Sequence, residues 1–208
     1  MSGEKRFAAV IPAAGLSSRM GDFKPLLEFN GSTVIESAVS GALSCCDTAV
    51  IVLGKRAAEL RELLQSRFKD RLIFAENPGY ASTDMLTSVK IGVSTLNRIE
   101  PGVAGFFITP ADMPCIPPDV YRNIISEFDR ARDGALIPVT GGRRGHPPLI
   151  TSRLIPDILA YDGGDGLRGF YRGIPVREIP IADTGILTDL DTPEDYRAAV
   201  TVLPVSGT

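Results

Sequence analysis

Short apolar runs, each closed by glycine or proline, alternate along this chain with longer stretches of helical period. That alternation constrains the fold more than any other feature. Phe7-Ala8-Ala9-Val10-Ile11 ends in Pro12-Ala13-Ala14-Gly15, and Thr48 to Leu53 ends at Gly54. Arg71 to Ala75 ends at Asn77-Pro78-Gly79, Gly105 to Thr109 at Pro110, and Ala135 to Val139 at Gly141-Gly142. Runs that are apolar throughout, rather than at every second position, are the mark of strands buried on both faces of a parallel sheet. Between them lie stripes at helical spacing. These are Val34, Ala38, Ala42 and Leu43 after a cap at Ser32 or Thr33, and Leu60, Leu63 and Leu64 after Lys55-Arg56. Met85, Val89, Val93 and Leu96 follow Ser82-Thr83-Asp84, and Val120, Ile124, Ile125 and Phe128 follow Pro117-Pro118-Asp119.

Strand-helix alternation predicts right-handed crossovers and an α/β fold, a doubly wound, mostly parallel sheet of Rossmann-like type. In such a sheet ligands sit beyond the carboxyl ends of the strands. With 208 residues the expectation is a single domain over 1–208, its core spanning about 7–202. The Gly- and Pro-rich stretch from about 141 to 186 breaks the rhythm and reads as a substrate-facing insertion of irregular strands and short helices. A last helix opens at Pro193, and the tail after Leu203 reads as frayed.

Charge and cysteine content narrow the function classes. Lys+Arg 22 against Asp+Glu 25 leaves a formal charge of −3, so there is no broad basic footprint for nucleic acid or an anionic membrane. Any phosphate must be met locally. Cys45 and Cys46 are adjacent and Cys115 stands alone, which excludes a disulfide framework. The single histidine, His146, leaves no His-rich zinc site. No apolar run approaches the length of a membrane span or a signal peptide, and the expected location is the cytoplasm.

The strongest local signal is the first strand-to-helix junction, Pro12 to Pro25. Small residues at Ala13, Ala14 and Gly15 let backbone N–H groups approach an anion, while Ser17 and Ser18 add hydroxyl donors. Arg19 and Lys24 add two cations, each worth about 4 kcal/mol against a phosphate charge roughly 4 Å away at an effective dielectric near 20. The junction is not Walker A, since Lys24 does not follow Gly21. Nor is it G-x-G-x-x-G, since Ser17 and Met20 stand where glycines are needed. The plainer reading is a tight turn with surface cations.

Two acidic signals follow. Asp112, in Thr109-Pro110-Ala111-Asp112-Met113-Pro114, sits just past an apolar strand, where a carboxylate can hold a hard cation; a purely structural turn is the other reading. In Leu187-Thr188-Asp189-Leu190-Asp191-Thr192-Pro193, Asp189 and Asp191 alternate and point the same way on extended backbone. Thr192-Pro193 then opens a helix as cap and first-turn residue.

These elements, in this order, resemble the MobA-like nucleotidyltransferases, and most closely the molybdenum cofactor cytidylyltransferases. The matching stretches are PAAGLSSRMGDFKPLL, PADMP and DLDTPEDY. Between them lie Asn77-Pro78-Gly79 with Met85 to Val89, the segment Gly145-His146-Pro147, and Gly163-Gly164-Asp165-Gly166-Leu167-Arg168. The resemblance runs from about Ala8 to Tyr196. Thr83 and Asp84 stand where the family often shows glycine, and Ala111 where many members carry one.

The resemblance implies transfer of a nucleoside monophosphate from a triphosphate to a phosphorylated acceptor, with release of pyrophosphate. By that reading the Gly15 loop cradles the β- and γ-phosphates and Arg19 neutralises the departing pyrophosphate. Lys24 bridges the α-phosphate and the acceptor. Asp112 and Asp191 hold Mg²⁺, with Asp189 acting through water. Ala13-Ala14-Gly15 resembles the cytidylyl-transferring members, where guanylyl relatives show Ala-Gly-Gly, so CTP is expected. Ser88 is a candidate base contact. His146 and Arg168 are candidate contacts to a phosphorylated pterin acceptor, with Arg143 beside them, although a turn histidine and exposed arginines also have structural readings. Cys115 reads as packing. A molybdoenzyme would receive the product. The alternatives are GTP as donor, a sugar or polyol phosphate as acceptor, or a non-catalytic protein that delivers the cofactor. A nicotinamide-dependent oxidoreductase is disfavoured by the missing G-x-G-x-x-G.

Overall fold

The structure is a computed structural model that describes residues 5–15 and 22–202, with side chains as far as residue 200. In chain order the elements are β1 (Phe7–Ala13), β2 (Glu28–Phe29), β3 (Ser32–Thr33), α1 (Val34–Leu43), β4 (Thr48–Leu53), α2 (Ala57–Phe68), β5 (Leu72–Glu76), α3 (Met85–Ile99) and β6 (Gly105–Ile108). There follow α4 (Pro118–Ser126), β7 (Ala135–Thr140), β8 (Arg143–Arg144), β9 (Leu149–Thr151), α5 (Ile155–Ala160), α6 (Gly166–Arg172), β10 (Val176–Pro180) and α7 (Pro193–Val202).

The main sheet has the order β10-β7-β9-β6-β1-β4-β5, with β8 paired to β7. β1 lies parallel between β4 and β6, β5 continues parallel beyond β4, and β10 is parallel to β7. β9 alone runs antiparallel to both its neighbours, β6 and β7, so the sheet is mixed but mostly parallel. The five apolar runs read from sequence are β1, β4, β5, β6 and β7, and the four helical stripes are α1 to α4.

Residues that alternate along β1 serve opposite faces, because side chains on a strand have a period of two. Ala9 and Ile11 join Ile35 and Val39 of α1, Leu60 and Leu64 of α2, and Tyr121 and Ile124 of α4 in one buried cluster. Ala8 and Val10 join Val89, Val93 and Leu96 of α3 with Ile158 of α5 and Phe170 of α6 in another. Helices therefore cover both faces, as the doubly wound reading requires. On the second face α3 comes very close: a Cβ at Gly92 would lie 2.4 Å from Val10 Cγ1 and 2.9 Å from Val52 Cγ2.

Helix starts follow local chemistry. Thr33, not Ser32, caps α1 in a reciprocal box: the Glu36 N–H donates to Thr33 Oγ1 (3.3 Å) and the Thr33 N–H donates to Glu36 Oε2 (2.9 Å). Asp84 caps α3 by accepting from the Thr87 N–H at 2.9 Å. Thr192 pairs reciprocally with Asp195 at the start of α7, the structural role that its position allowed.

Two features go beyond the sequence reading. Asn30 (φ 51°) and Gly31 (φ 75°) form the two-residue turn of a hairpin between β2 and β3; Asn-Gly was the signal for it. The 141–186 stretch also enters the main sheet through β8, β9 and β10, with β9 lying inside it. A smaller cluster of Phe29, Val34, Leu190 and Ala199 seats α7 against the β2–β3 hairpin, and the Tyr196 hydroxyl donates to the Glu28 carbonyl at 2.6 Å. No helix among the described residues is long and apolar enough to cross a membrane.

Candidate nucleotide-binding site

A cavity of about 350 Å³ opens at the carboxyl ends of β1, β5 and β6. Its floor is Ala13, Ala14 and Gly15, the backbone that continues β1. The two alanines are buried, and a side chain at Gly15 would project into open space. Gly54, at the end of β4, is needed because a Cβ there would meet Ala14 Cα at 2.9 Å and the Tyr80 ring at 2.8 Å. The floor is thus wedged from below by the close approach at Gly54.

At one end lies a cation between two carboxylates. Lys24 opens a single 3-10 turn (Lys24–Leu26) and its side chain is only 9 % exposed. Its Nζ is 2.6 Å from Asp191 Oδ1 and 3.4 Å from Asp112 Oδ2. An ammonium this deeply buried requires paired charge, because desolvation costs several kcal/mol per ion. The main chain brings the two aspartates together: the Leu190 N–H donates to the Asp112 carbonyl at 3.1 Å and ties the loop after β6 to the loop before α7. Leu190 is fully buried between Asp189 and Asp191. Asp191 lines the cavity, whereas Asp189 is exposed and does not.

The opposite wall comes from the loop between β5 and α3: Tyr80, Thr83, Asp84 and Met85, then Ser88 one turn into the helix. Asn77, 3 % exposed, organises that loop. Its Oδ1 accepts from the Gly79 N–H at 3.0 Å, and its Nδ2 donates to Thr83 Oγ1 at 2.9 Å and to Ser88 Oγ at 3.0 Å. Sequence reading found Ser88 but missed Asn77, Tyr80, Thr83, Asp84 and Met85 as parts of the site. The Asn-Pro-Gly turn signal and the Ser-Thr-Asp cap signal beside it were the available clues.

Of the predicted residues, Ala13, Ala14, Gly15, Lys24, Ser88, Asp112 and Asp191 share this cavity. Ser17, Ser18 and Arg19 lie outside the described residues. His146 and Arg168 do not line the cavity. Arg168 is exposed on α6, and Arg143 is exposed on β8. The His146 N–H donates to the Ile186 carbonyl at 2.8 Å, and its peptide bond to Pro147 is cis. Its Nδ1 is buried without a partner among the described residues. Burial pushes the imidazole pKa down, against a backbone hydrogen bond at Ile108 and the charges of Asp112 and Asp189, so the ring is neutral at neutral pH. The half-buried Cys115 thiol is likewise pushed up by burial, which leaves it protonated and inert.

Among the described residues no group of three or more His, Cys, Asp or Glu could enclose a metal. Asp112 and Asp191 nevertheless converge on one cation, the Lys24 ammonium. That geometry suits a hard divalent ion that takes two carboxylates and completes its shell with water and phosphate oxygens.

Residues 9–179 match the MobA-like NTP transferase domain. The chain is 32% identical over 190 residues to the molybdenum cofactor cytidylyltransferase of Escherichia coli K12, covering 91% of this chain and 93% of that one. It is 34% identical over 216 residues to a 2-C-methyl-D-erythritol 4-phosphate cytidylyltransferase of Streptomyces avermitilis, covering 96% and 83%. A nucleotidyl transferase from Methanothermobacter superposes with a TM-score of 0.79 at 24% identity, covering 95% of this chain and 97% of that one. The chain belongs to the MobA-like NTP transferase family and is a nucleotidyltransferase.

Proposed function

We propose that this chain is a cytoplasmic CTP:molybdopterin cytidylyltransferase, which moves CMP from CTP to the terminal phosphate of a phosphorylated pterin and releases pyrophosphate. The observation that carries the reading is the buried Lys24 between Asp112 and Asp191, set at one end of a cavity floored by Ala13-Ala14-Gly15. Similarity to the E. coli cytidylyltransferase over nearly the whole of both chains supports the donor and the acceptor.

Phosphoryl chemistry of this kind asks the protein for positioning and charge stabilisation, since the attacking phosphate oxygen is already ionised. No general base is needed. Asp112 and Asp191 would hold Mg²⁺, which, when bound, draws charge from the triphosphate oxygens. Backbone N–H groups at Ala14 and Gly15 meet the phosphates, with Arg19, Ser17 and Ser18 of the same loop contributing further donors. Lys24, set beside both carboxylates, neutralises charge at the α-phosphate where acceptor and donor meet. Ser88 contacts the base. His146 and Arg168 bind the acceptor, and a molybdoenzyme takes the product.

Pyrophosphate release is measured with Mg²⁺, molybdopterin and either CTP or GTP in parallel. Release with CTP alone is expected. Release with GTP alone overturns the base assignment and keeps the chemistry. A second reading rests on the similarity to the erythritol-phosphate cytidylyltransferase: the same CMP transfer onto a polyol phosphate. CTP-dependent release with that acceptor and none with molybdopterin would select it.

A further inference from the structure

We infer that Asn77 is a positioning residue for nucleobase selectivity, acting by fixing the direction in which the Ser88 hydroxyl donates its proton. The inference rests on the cytidylyl reading above and deepens it.

The polarity of the network follows from one group that can only donate. The Gly79 N–H points at the Asn77 side-chain amide at 3.0 Å, so the atom it meets must be the carbonyl oxygen. The amide nitrogen is then committed to the other side, where it gives one proton to Thr83 Oγ1 and one to Ser88 Oγ. Thr83 passes its own proton to the Gly79 carbonyl at 3.1 Å and is used up. Ser88 thus receives a hydrogen bond from behind, and its own proton goes to no acceptor among the described residues. Ser88 lines the cavity, so that proton is available to a ligand there.

The ligand group at this wall is a base rather than a phosphate, for two reasons. Lys24 and Asp112 are set by the loops after β1 and β6, and Asp191 by the loop before α7 that the Leu190 N–H ties to the β6 loop, whereas Asn77 follows β5, two strands from β1 in the sheet order and so about 10 Å away. The N-terminus of α3 is also already filled by the Asp84 carboxylate, and Thr87 holds that carboxyl's pKa down through backbone and side-chain hydrogen bonds. An anionic phosphate is repelled there, while a neutral heterocycle is not. A fixed hydroxyl donor matches cytosine, whose pairing edge offers O2 and N3 as acceptors. Guanine presents N1–H and the N2 amino group at the corresponding positions, which leaves two donors facing each other.

The test is a double-mutant cycle on nucleotide affinity with the full chain, CTP and GTP each titrated in Mg²⁺ by calorimetry. Asn77→Asp keeps an acceptor for the Gly79 N–H but cannot donate to Ser88, whose proton then turns back toward the new carboxylate. Asn77→Asp and Ser88→Ala are each expected to weaken CTP binding by about tenfold and to leave GTP within twofold. The double variant is expected to be no weaker than Ser88→Ala alone. Thermal unfolding of each variant accompanies the titrations. If Asn77→Asp does not fold, Asn77→Ala replaces it, with a smaller CTP-selective loss because the Ser88 rotor is freed rather than reversed. Equal loss for CTP and GTP, or multiplicative losses in the double variant, would overturn the inference and leave the cytidylyl reading standing. A wild-type chain that does not prefer CTP over GTP would overturn both.

Discussion

Lys24 and Asp112 show how a few atoms set the site's chemistry. The Asp112 side chain reaches toward Lys24, while its main-chain carbonyl takes the Leu190 N–H, so the charged contact and the loop anchor use different atoms of one residue. Asp112→Asn keeps the carbonyl anchor and removes the charge. The expected outcome is an unfolding midpoint within a few degrees of wild type and a fall in kcat for pyrophosphate release of about 10²–10³, the size usual for losing one charge-stabilising group. Normal turnover in that variant would take Asp112 out of the reaction. Asp133 makes a different use of a buried carboxylate. It accepts from Arg177 Nη2 at 2.8 Å, Arg177 Nε at 3.1 Å and the Asp129 N–H at 2.7 Å. Burial raises its pKa, but the Arg177 and Asp129 hydrogen bonds and the Arg177 charge outweigh it, so the carboxyl ionises below its ordinary range. A depressed folded-state pKa gives stability that is complete above the unfolded value, about 3.9, and is lost as pH falls through the folded one. Asp133→Asn is therefore expected to lower the midpoint at pH 7 by the equivalent of about 2 kcal/mol and to flatten its decline below about pH 4. An unchanged acid limb would refute that assignment.

At the scale of elements, α3 matters most, because it carries Ser88 at one end and seats Gly92 on β1 and β4. Gly92→Ala places a methyl within 2.4 Å of Val10, so the helix must lift. A loss of about 1–3 kcal/mol is expected in denaturant unfolding, together with weaker nucleotide binding as Ser88 shifts. Stability loss with unaltered binding would show that the helix pivots about its N-terminus. The major elements were legible in sequence because their signals are local: continuous apolar runs for β1, β4, β5, β6 and β7, and a cap at Ser32 or Thr33 ahead of α1. The β2–β3 hairpin was not recognised, as each strand has only two residues and the apolar pattern has no room to develop. β9 escaped for a related reason, being a three-residue strand whose place depends on partners more than forty and ten residues away. The charged end of the site was legible, since each member stands at the end of a strand or before a helix. The opposite wall was legible only at Ser88, because Asn77 acts through three short-range hydrogen bonds that no periodicity announces.

For the whole molecule, the site is assembled from loops at one edge of a sheet whose two faces are covered by separate clusters, so ligand binding should report as global stability. Saturating CTP with Mg²⁺, at about 100 times its Kd, is expected to add about 2.7 kcal/mol, which for a chain of this size raises the midpoint by roughly 5–10 °C. Chelating the metal with EDTA should remove most of that rise if Asp112 and Asp191 hold it. A rise that is the same with and without the metal would mean that the loop backbone alone carries the nucleotide.

The antiparallel β9 has a consequence for how the protein is made. β6 and β7 never touch along their length; each pairs with β9 instead. Synthesis runs from the N-terminus, so β1, β4, β5 and β6 can assemble on the ribosome, but the sheet then ends at β6 with its hydrogen-bonding groups bare. β7 emerges with no partner across the gap. Only when Leu149–Thr151 follows does one short segment join the two parallel halves, and only then can Val176–Pro180 extend the far edge. Until that moment the nascent chain carries an apolar, unpaired strand edge of the kind that captures other chains. The last third of the sequence is thus the clasp of the sheet, and a chain that ends before residue 149 is expected to leave an aggregation-prone half-sheet rather than a smaller enzyme.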